Sequence, residues 1–223
     1  MGVLLCDAAM ANPGVKQTLV ELCRRFYDLG WATGTGGGIS IRDRANMCVY
    51  MAPSGVQKER IVEDDLYELD MDGQVLSGPD RPGLKPSECA PLFFNAFRMR
   101  DAGAVLHSHG MFAMLASLTP EDVFECTQLE MIKGIKGHGY YDRLQVPIIE
   151  NTAKECDLAD SMAVAIAAYP RTQAVLVRRH GVYVWGETWE HAKTQAECYH
   201  YLFEAAIRMR SLGLDPLAKS NAP

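Results

Sequence analysis

The sequence lacks the features that identify several large classes of protein. Its seven cysteines form no C-x-x-C pair, and their number is odd in a chain of 223 residues. A small disulfide scaffold is therefore excluded, and free thiols in a reducing compartment are the simpler interpretation. No apolar run approaches the roughly 20 residues that a membrane span needs. No basic segment precedes the apolar stretch at the start, so we expect no signal peptide and a cytoplasmic protein with no membrane partner.

Basic charge is also scarce. The chain has 28 acidic and 22 basic residues, a formal net charge of -6, and no stripe rich in lysine and arginine. Nucleic-acid binding depends on such residues to neutralise phosphates, so we expect no nucleic-acid partner. A small anionic substrate is still compatible with the composition, because a few local donors can hold it.

What is present predicts a single domain in which helices and strands alternate. Apolar residues recur at helical spacing over residues 15–29, and a long amphipathic helix is predicted near the end. Several consecutive strands are joined by connections too short for a helical crossover. This predicts an α/β fold of three α/β/α layers with a central mixed, largely antiparallel sheet. We expect a flexible arm at 1–14, the domain at 15–212 and a tail at 213–223.

Three histidines indicate a metal site. His107 and His109 end a short apolar strand, and residues two apart on a strand point to the same face. His180 lies between two predicted strands, beside a turn glycine. Taken singly, each histidine is compatible with an ordinary surface or half-buried position. Together, three imidazoles with an open position are the usual form of a catalytic zinc site. The other histidines lack such a setting: His138, His191 and His200.

A glycine run at residues 34–38 offers a second kind of site. Backbone without side chains exposes N–H donors that can hold a phosphate, although such runs are also common in flexible turns. The run follows a helix and leads into a strand, which is the reverse of the order in a dinucleotide-binding fingerprint. Ser54, Gly55 and Ser87 lie in segments that contain a proline and add donors for the same anion.

An ordered set of segments resembles the class II aldolase/adducin family: TGTGGGIS, APSG, KPSE, AVLHSHG and RRHGVYVWG. The resemblance runs from about residue 15 to residue 210. It implies a zinc-dependent enzyme acting on a small phosphorylated ketose, with zinc on His107, His109 and His180. It also implies a homotetramer with active sites near the subunit interfaces.

The same resemblance assigns residues to the substrate. It places the phosphate near Gly38, Ser54, Gly55 and Ser87, and it places the acid/base on Glu130 in the segment QLEMIKGI. Without the resemblance, Glu130 would be taken for a solvated surface residue.

The segment KPSEC leaves two assignments open. Aldolases of the family usually carry a glutamate just after the serine, and this position aligns with Glu88 or Cys89. A branch that dehydrates its ketose phosphate has a cysteine near the substrate there, so the resemblance gives Cys89 that role. One alternative is an aldolase or epimerase with Glu88 as acid/base. The other is a non-enzymatic adducin-like scaffold, which the presence of all three metal histidines argues against.

Overall fold

A computed structural model describes residues 14–219. Most of the predicted N-terminal arm, including Cys6, and the last four residues of the tail lie outside the described residues. The five α-helices of the described part are α1 Val15–Asp28, α2 Ala90–Arg100, α3 Met111–Ala116, α4 Ala159–Ala168 and α5 Trp189–Ser211.

Nine strands form a single sheet between residues 14 and 219. They are β1 Gly38–Asp43, β2 Cys48–Met51, β3 Tyr67–Leu69, β4 Val75–Ser77, β5 Ala104–Ser108, β6 Val123–Thr127, β7 Arg143–Ile149, β8 Ala174–Val177 and β9 Gly181–Gly186. Their order is β4-β3-β2-β1-β5-β9-β8-β7-β6. Neighbours are antiparallel except for β7 and β8, which are parallel. The predicted mixed, largely antiparallel sheet is confirmed.

Helices cover both faces of this sheet, as the predicted three layers require. Side chains of α1, α3 and α5 contribute to one buried cluster, which includes Phe26 and Phe203. Side chains of α2 and α4 contribute to the other, which includes Phe93 and Met162. The helical spacing explains this burial: in α1, apolar residues at i, i+3 and i+7 (Leu19, Leu22 and Phe26, for example) face the sheet.

Strand pairing brings the distant histidine segments together. β1 and β5 pair so that Gly38 lies opposite His107, and β5 and β9 pair so that His107 lies opposite Tyr183. The predicted strand pair around His180 is confirmed as β8 and β9, joined by a turn in which Arg179 has a φ of 58°. Three sequence segments therefore meet at one end of the central strands β1, β5 and β9.

One strand was not predicted. β6 has the sequence VFECT, which mixes apolar and polar residues without a long alternating pattern, and it becomes a strand by pairing along its length with β7.

The six cysteines of the described part are all free thiols. None of the helices within residues 14–219 is long and apolar enough to cross a membrane.

Candidate metal centre and active site

The imidazoles of His107, His109 and His180 meet where β5 ends and β9 begins. Nε2 of His109 lies 2.9 Å from Nε2 of His107 and 2.9 Å from Nε2 of His180. Glu155 completes the group, because its Oε1 lies 3.1 Å from Nε2 of both His107 and His180. Ligand atoms of the four side chains all lie within 4.8 Å of one another.

Hydrogen bonds on the outer side of two rings orient the nitrogens that face the centre. Nδ1 of His107 donates to the carbonyl oxygen of Val182 at 3.2 Å, and Nδ1 of His180 donates to Oδ1 of Asn151 at 3.2 Å. With the proton on Nδ1, the lone pair of each Nε2 points toward the centre. Tyr183 stacks on the His107 ring with a centroid separation of 4.0 Å and holds that ring in place.

Burial keeps the imidazoles of His107 and His109 neutral. It lowers the pKa of His107, and burial together with the neighbouring His107 and His180 lowers the pKa of His109 to about 3. Lone pairs and a carboxylate at such short range repel one another unless a cation lies among them. The residues therefore fit a divalent metal ion.

Cys89 lies behind the carboxylate of Glu155. Its Sγ donates to Oε2 of Glu155 at 2.8 Å, and the residue is buried at the start of α2. Burial and the Glu155 charge raise the pKa of Cys89, so the sulfur keeps its proton at neutral pH. The structure thus brings Cys89, predicted to lie near the substrate, to the metal site through Glu155.

A cavity of about 230 Å³ opens beside the histidines. It is lined by residues 35–37, 53–55 and 87–89 together with Lys58, His109 and Glu155. The lining includes Ser54, Gly55 and Ser87, three of the four residues predicted to bind phosphate. The fourth, Gly38, is buried in β1 and is not part of the lining. Phosphate binding at these positions stays a prediction.

The glycine run is packed directly against the metal-site histidines. A Cβ added at Gly36 would lie 2.4 Å from Nδ1 of His109, which is closer than real Cβ atoms approach. Gly37 has a φ of 69°, and a Cβ there would lie 2.9 Å from the carbonyl oxygen of His107. The absence of a side chain at Gly36 and Gly37 therefore allows His107 and His109 to lie this close to the glycine run.

Replacing Gly36 by alanine should weaken metal binding by about 10- to 100-fold, the usual effect of disturbing the groups that orient metal ligands. The added methyl group would displace the His109 ring from the centre. Metal content after dialysis against a graded chelator measures the effect. Gly14→Ala is the matched control, because no atom of residues 14–219 lies within 4 Å of a Cβ there. Equal metal retention by both variants would contradict the packing argument.

Glu130 is not brought to this centre within the chain. It begins a 3-10 helix, Glu130–Gly134, its side chain is 66% exposed, and it pairs with Lys133 at 2.5 Å. Among residues 14–219 it is neither a contact of the three histidines nor part of the cavity lining. Its acid/base role stays a prediction. Glu88 is exposed and lines the cavity.

Two residues of the site were missed in the sequence. Glu155 lies in the polar segment ENTAKECD, where no spacing relates it to the histidines. Lys58 lies in VQKER, which looks like a solvated charged turn, yet the residue is 2% exposed. Only the glycines and serine around it gave any signal, since they predicted an anion nearby.

Comparison with known proteins decides the family. The class II aldolase and adducin N-terminal domain family matches residues 17–207. The chain belongs to this family. The resemblance inferred from the ordered segments is thereby confirmed over nearly the whole chain.

Plant relatives carry a more specific description. A Physcomitrium patens protein is 52% identical over 221 residues, which cover 93% of this chain and 44% of that protein. An Arabidopsis thaliana protein is 51% identical over 235 residues, which cover 98% and 46%. Both are described as probable bifunctional methylthioribulose-1-phosphate dehydratase/enolase-phosphatase E1. This class II aldolase family chain spans less than half the length of these curated relatives.

Solved structures of the family share the fold. An L-fuculose 1-phosphate aldolase superposes with a TM-score of 0.76 and 24% identity, over 95% of this chain and 93% of that chain. The L-fuculose-1-phosphate aldolase from Thermus thermophilus gives a TM-score of 0.69 and 20% identity, over 89% and 96%. These likenesses establish the class II aldolase architecture predicted from the sequence.

Proposed function

We propose that this chain is a zinc-dependent dehydratase that converts 5-methylthioribulose-1-phosphate to 2,3-diketo-5-methylthiopentyl-1-phosphate and water, a step of methionine salvage. The observation that carries the proposal is the convergence of three imidazoles and a carboxylate beside a cavity whose lining includes glycine and serine. The names of the plant relatives supply the substrate.

Zinc is the metal that this donor set suits best. His107, His109 and His180 would hold it through Nε2, and three imidazoles leave one position open for substrate. When bound, the metal polarises the ketose carbonyl and stabilises negative charge that develops on its oxygen. The Glu155 carboxylate lies against the same centre and would be a fourth protein group available to hold the metal.

The cavity lining would position the substrate. Ser54 and Ser87 offer hydroxyl groups, and Gly36, Gly37 and Gly55 offer unobstructed backbone for the phosphate. Two anchors, the phosphate at the lining and the carbonyl at the histidines, fix the carbon chain between them. Such fixing of the reacting groups lowers the entropic cost of the proton transfers.

Dehydration requires a base and an acid. The base removes the proton from C3, and the hydroxyl group on C4 leaves as water after receiving a proton. The resulting enol carries its hydroxyl group on C3 and tautomerises to the diketone. We assign the base to Glu130, which can return the same proton to the leaving hydroxyl group.

Glu130 would act across a subunit interface. Its exposed carboxylate stays away from the histidines of its own chain, which is what a residue serving a neighbouring site requires. We propose a homotetramer with active sites near the interfaces. Met111, two residues after His109, is 63% exposed and can supply apolar contact area there. Light scattering at micromolar concentration should give four times the chain mass, and a monomer would contradict the assembly.

The proposed location is the cytoplasm. Support comes from the free thiols of the described part, since exposed and buried cysteines alike are unpaired there.

Incubation with 5-methylthioribulose-1-phosphate tests the function. The purified full chain, loaded with zinc, should release one water per substrate and form the diketone, detected by mass spectrometry. Two free carbonyl fragments instead of the diketone would identify an aldolase. In that alternative, Glu88, which is exposed at the cavity, would be the acid/base. Recovery of an isomer with unchanged mass would identify an epimerase.

A further inference from the structure

Lys58 is a buried cation at the cavity. It is 2% exposed and lies in a short 3-10 helix, Lys58–Arg60, that follows the Ser54-Gly55 segment. It lines the same cavity as Ser54, Gly55 and Ser87. Lysine is almost never fully buried unless its charge has a partner.

The contacts of Lys58 leave its charge without a direct counter-ion. Nζ donates to the carbonyl oxygens of Thr35 at 3.2 Å and Val56 at 3.3 Å, which uses two of the three ammonium donors. Within residues 14–219, no carboxylate oxygen lies within 4.0 Å of this nitrogen. Burial lowers the pKa of Lys58, although Glu155 and Glu59 are near enough to favour its charged form.

An ammonium buried in this way destabilises the fold unless something compensates for it. The third donor and the unneutralised charge lie at a cavity whose lining includes glycine backbone and serine hydroxyl groups, together with the carboxylates of Glu88 and Glu155. The glycine N–H groups and the serine hydroxyl groups can donate hydrogen bonds to an anion. The Thr35 and Val56 carbonyls hold Nζ in place between the glycine run and the Ser54-Gly55 segment.

We propose that Lys58 is the cation that binds the phosphate of the substrate and selects phosphorylated ketoses over neutral sugars. The inference deepens the proposed function, because it takes the phosphorylated ketose from it. His109 and Glu155 line the cavity together with Lys58, so one substrate can reach both the cation and the metal centre.

Inorganic phosphate tests the anion site without turnover. Calorimetric titration of the zinc-loaded full chain should show phosphate binding, and Lys58→Gln should weaken it by about 10- to 100-fold, the loss expected for a hydrogen bond to a charged group. Glutamine keeps a donor for the Thr35 and Val56 carbonyls. Lys193→Gln on α5 removes the same charge elsewhere and should bind as the wild type does. Unchanged phosphate binding in Lys58→Gln would overturn the proposal. This is also the result expected if the metal alone binds the phosphate.

Turnover adds a second readout. With the phosphorylated ketose, Lys58→Gln should raise KM by about 10- to 100-fold and change kcat by less than about 3-fold, because the phosphate does not react. An equal fall of kcat at unchanged KM would overturn the assignment. A third outcome separates the two proposals. If the wild type does not convert 5-methylthioribulose-1-phosphate, but Lys58→Gln still binds inorganic phosphate more weakly than the wild type does, the proposed function is wrong and the anion site is supported.

A measurement on the wild type covers the case in which the variant does not fold. With carbon-13 at lysine Cε, the resonance of Lys58 should shift as inorganic phosphate is added, and that of Lys193 should not. No shift of the Lys58 resonance at saturating phosphate would overturn the proposal.

Discussion

Alanine at His107, His109 or His180 should abolish turnover and strip the metal from the chain. Each of these rings presents Nε2 to one point, and the metal supplies several kcal/mol of stabilisation to the developing charge. Because each 1.4 kcal/mol corresponds to a tenfold rate change, activity should fall by at least about 1000-fold. Metal analysis of protein purified without added zinc should give about one equivalent for the wild type and far less for each variant.

Alanine substitutions at the three histidines should lower the stability of the fold by different amounts. His107 is fully buried and stacked on Tyr183, so His107→Ala also removes packing from the core. His180 lies in a turn and is held by Asn151, so His180→Ala should leave the fold closer to the wild type. Thermal unfolding of the two variants without metal separates the loss of packing from the loss of metal.

Histidines outside the centre provide the controls. His191 is exposed, so His191→Ala should keep full activity and metal. His200 is buried and stacked on Trp31 at a ring separation of 3.8 Å, so His200→Ala should keep the metal but lower the unfolding temperature. Full metal retention by His180→Ala would remove that residue from the site.

The second large effect is expected at Glu130. Glu130→Gln keeps the size of the side chain but cannot accept the C3 proton, and loss of a general base usually costs about 10²–10⁴-fold in rate. Metal content should stay at the wild-type level, because the histidines are untouched. Glu63→Gln, an exposed carboxylate elsewhere, is the matched control and should turn over normally.

Glu155→Gln should behave differently from Glu130→Gln. The Glu155 carboxylate lies 3.1 Å from Nε2 of two of the histidines, so its loss should weaken metal binding as well as turnover.

If Glu130→Gln keeps near-full turnover while Glu88→Gln loses it, the base has been assigned to the wrong residue and the aldolase-like alternative is favoured. If both lose activity, a mechanism with two carboxylates is needed.

Mixing two inactive variants tests whether Glu130 serves a neighbouring subunit. In tetramers reassembled from equal amounts of Glu130→Gln and His180→Ala chains, about one quarter of the sites should combine an intact histidine set with an intact Glu130. About a quarter of the wild-type activity should therefore return. No recovery in confirmed mixed tetramers would place Glu130 with the histidines of its own chain, or outside the site.

The parts of the site that could be predicted from sequence are those with a local signal. His107 and His109 stand two apart at the end of an apolar strand, and this spacing alone places both imidazoles on one face. His180 is marked by the glycine turn between two apolar strands. Glu155 has no such marker, because a lone glutamate in a polar loop looks the same whether solvated or in contact with histidines.

By itself, the sequence determined the family, the mixed sheet and the three histidines, since strand alternation, short connections and motif order are local properties of the chain. Only the tertiary structure decided which charged side chains join them. Lys58 and Glu155 come to the cavity because the Ser54-Gly55 segment and the 3-10 helix Glu155–Leu158 both lie on its walls, near His109. Whether a lysine or glutamate is solvated or buried depends on what folds over it, and that partner lies far away in the sequence.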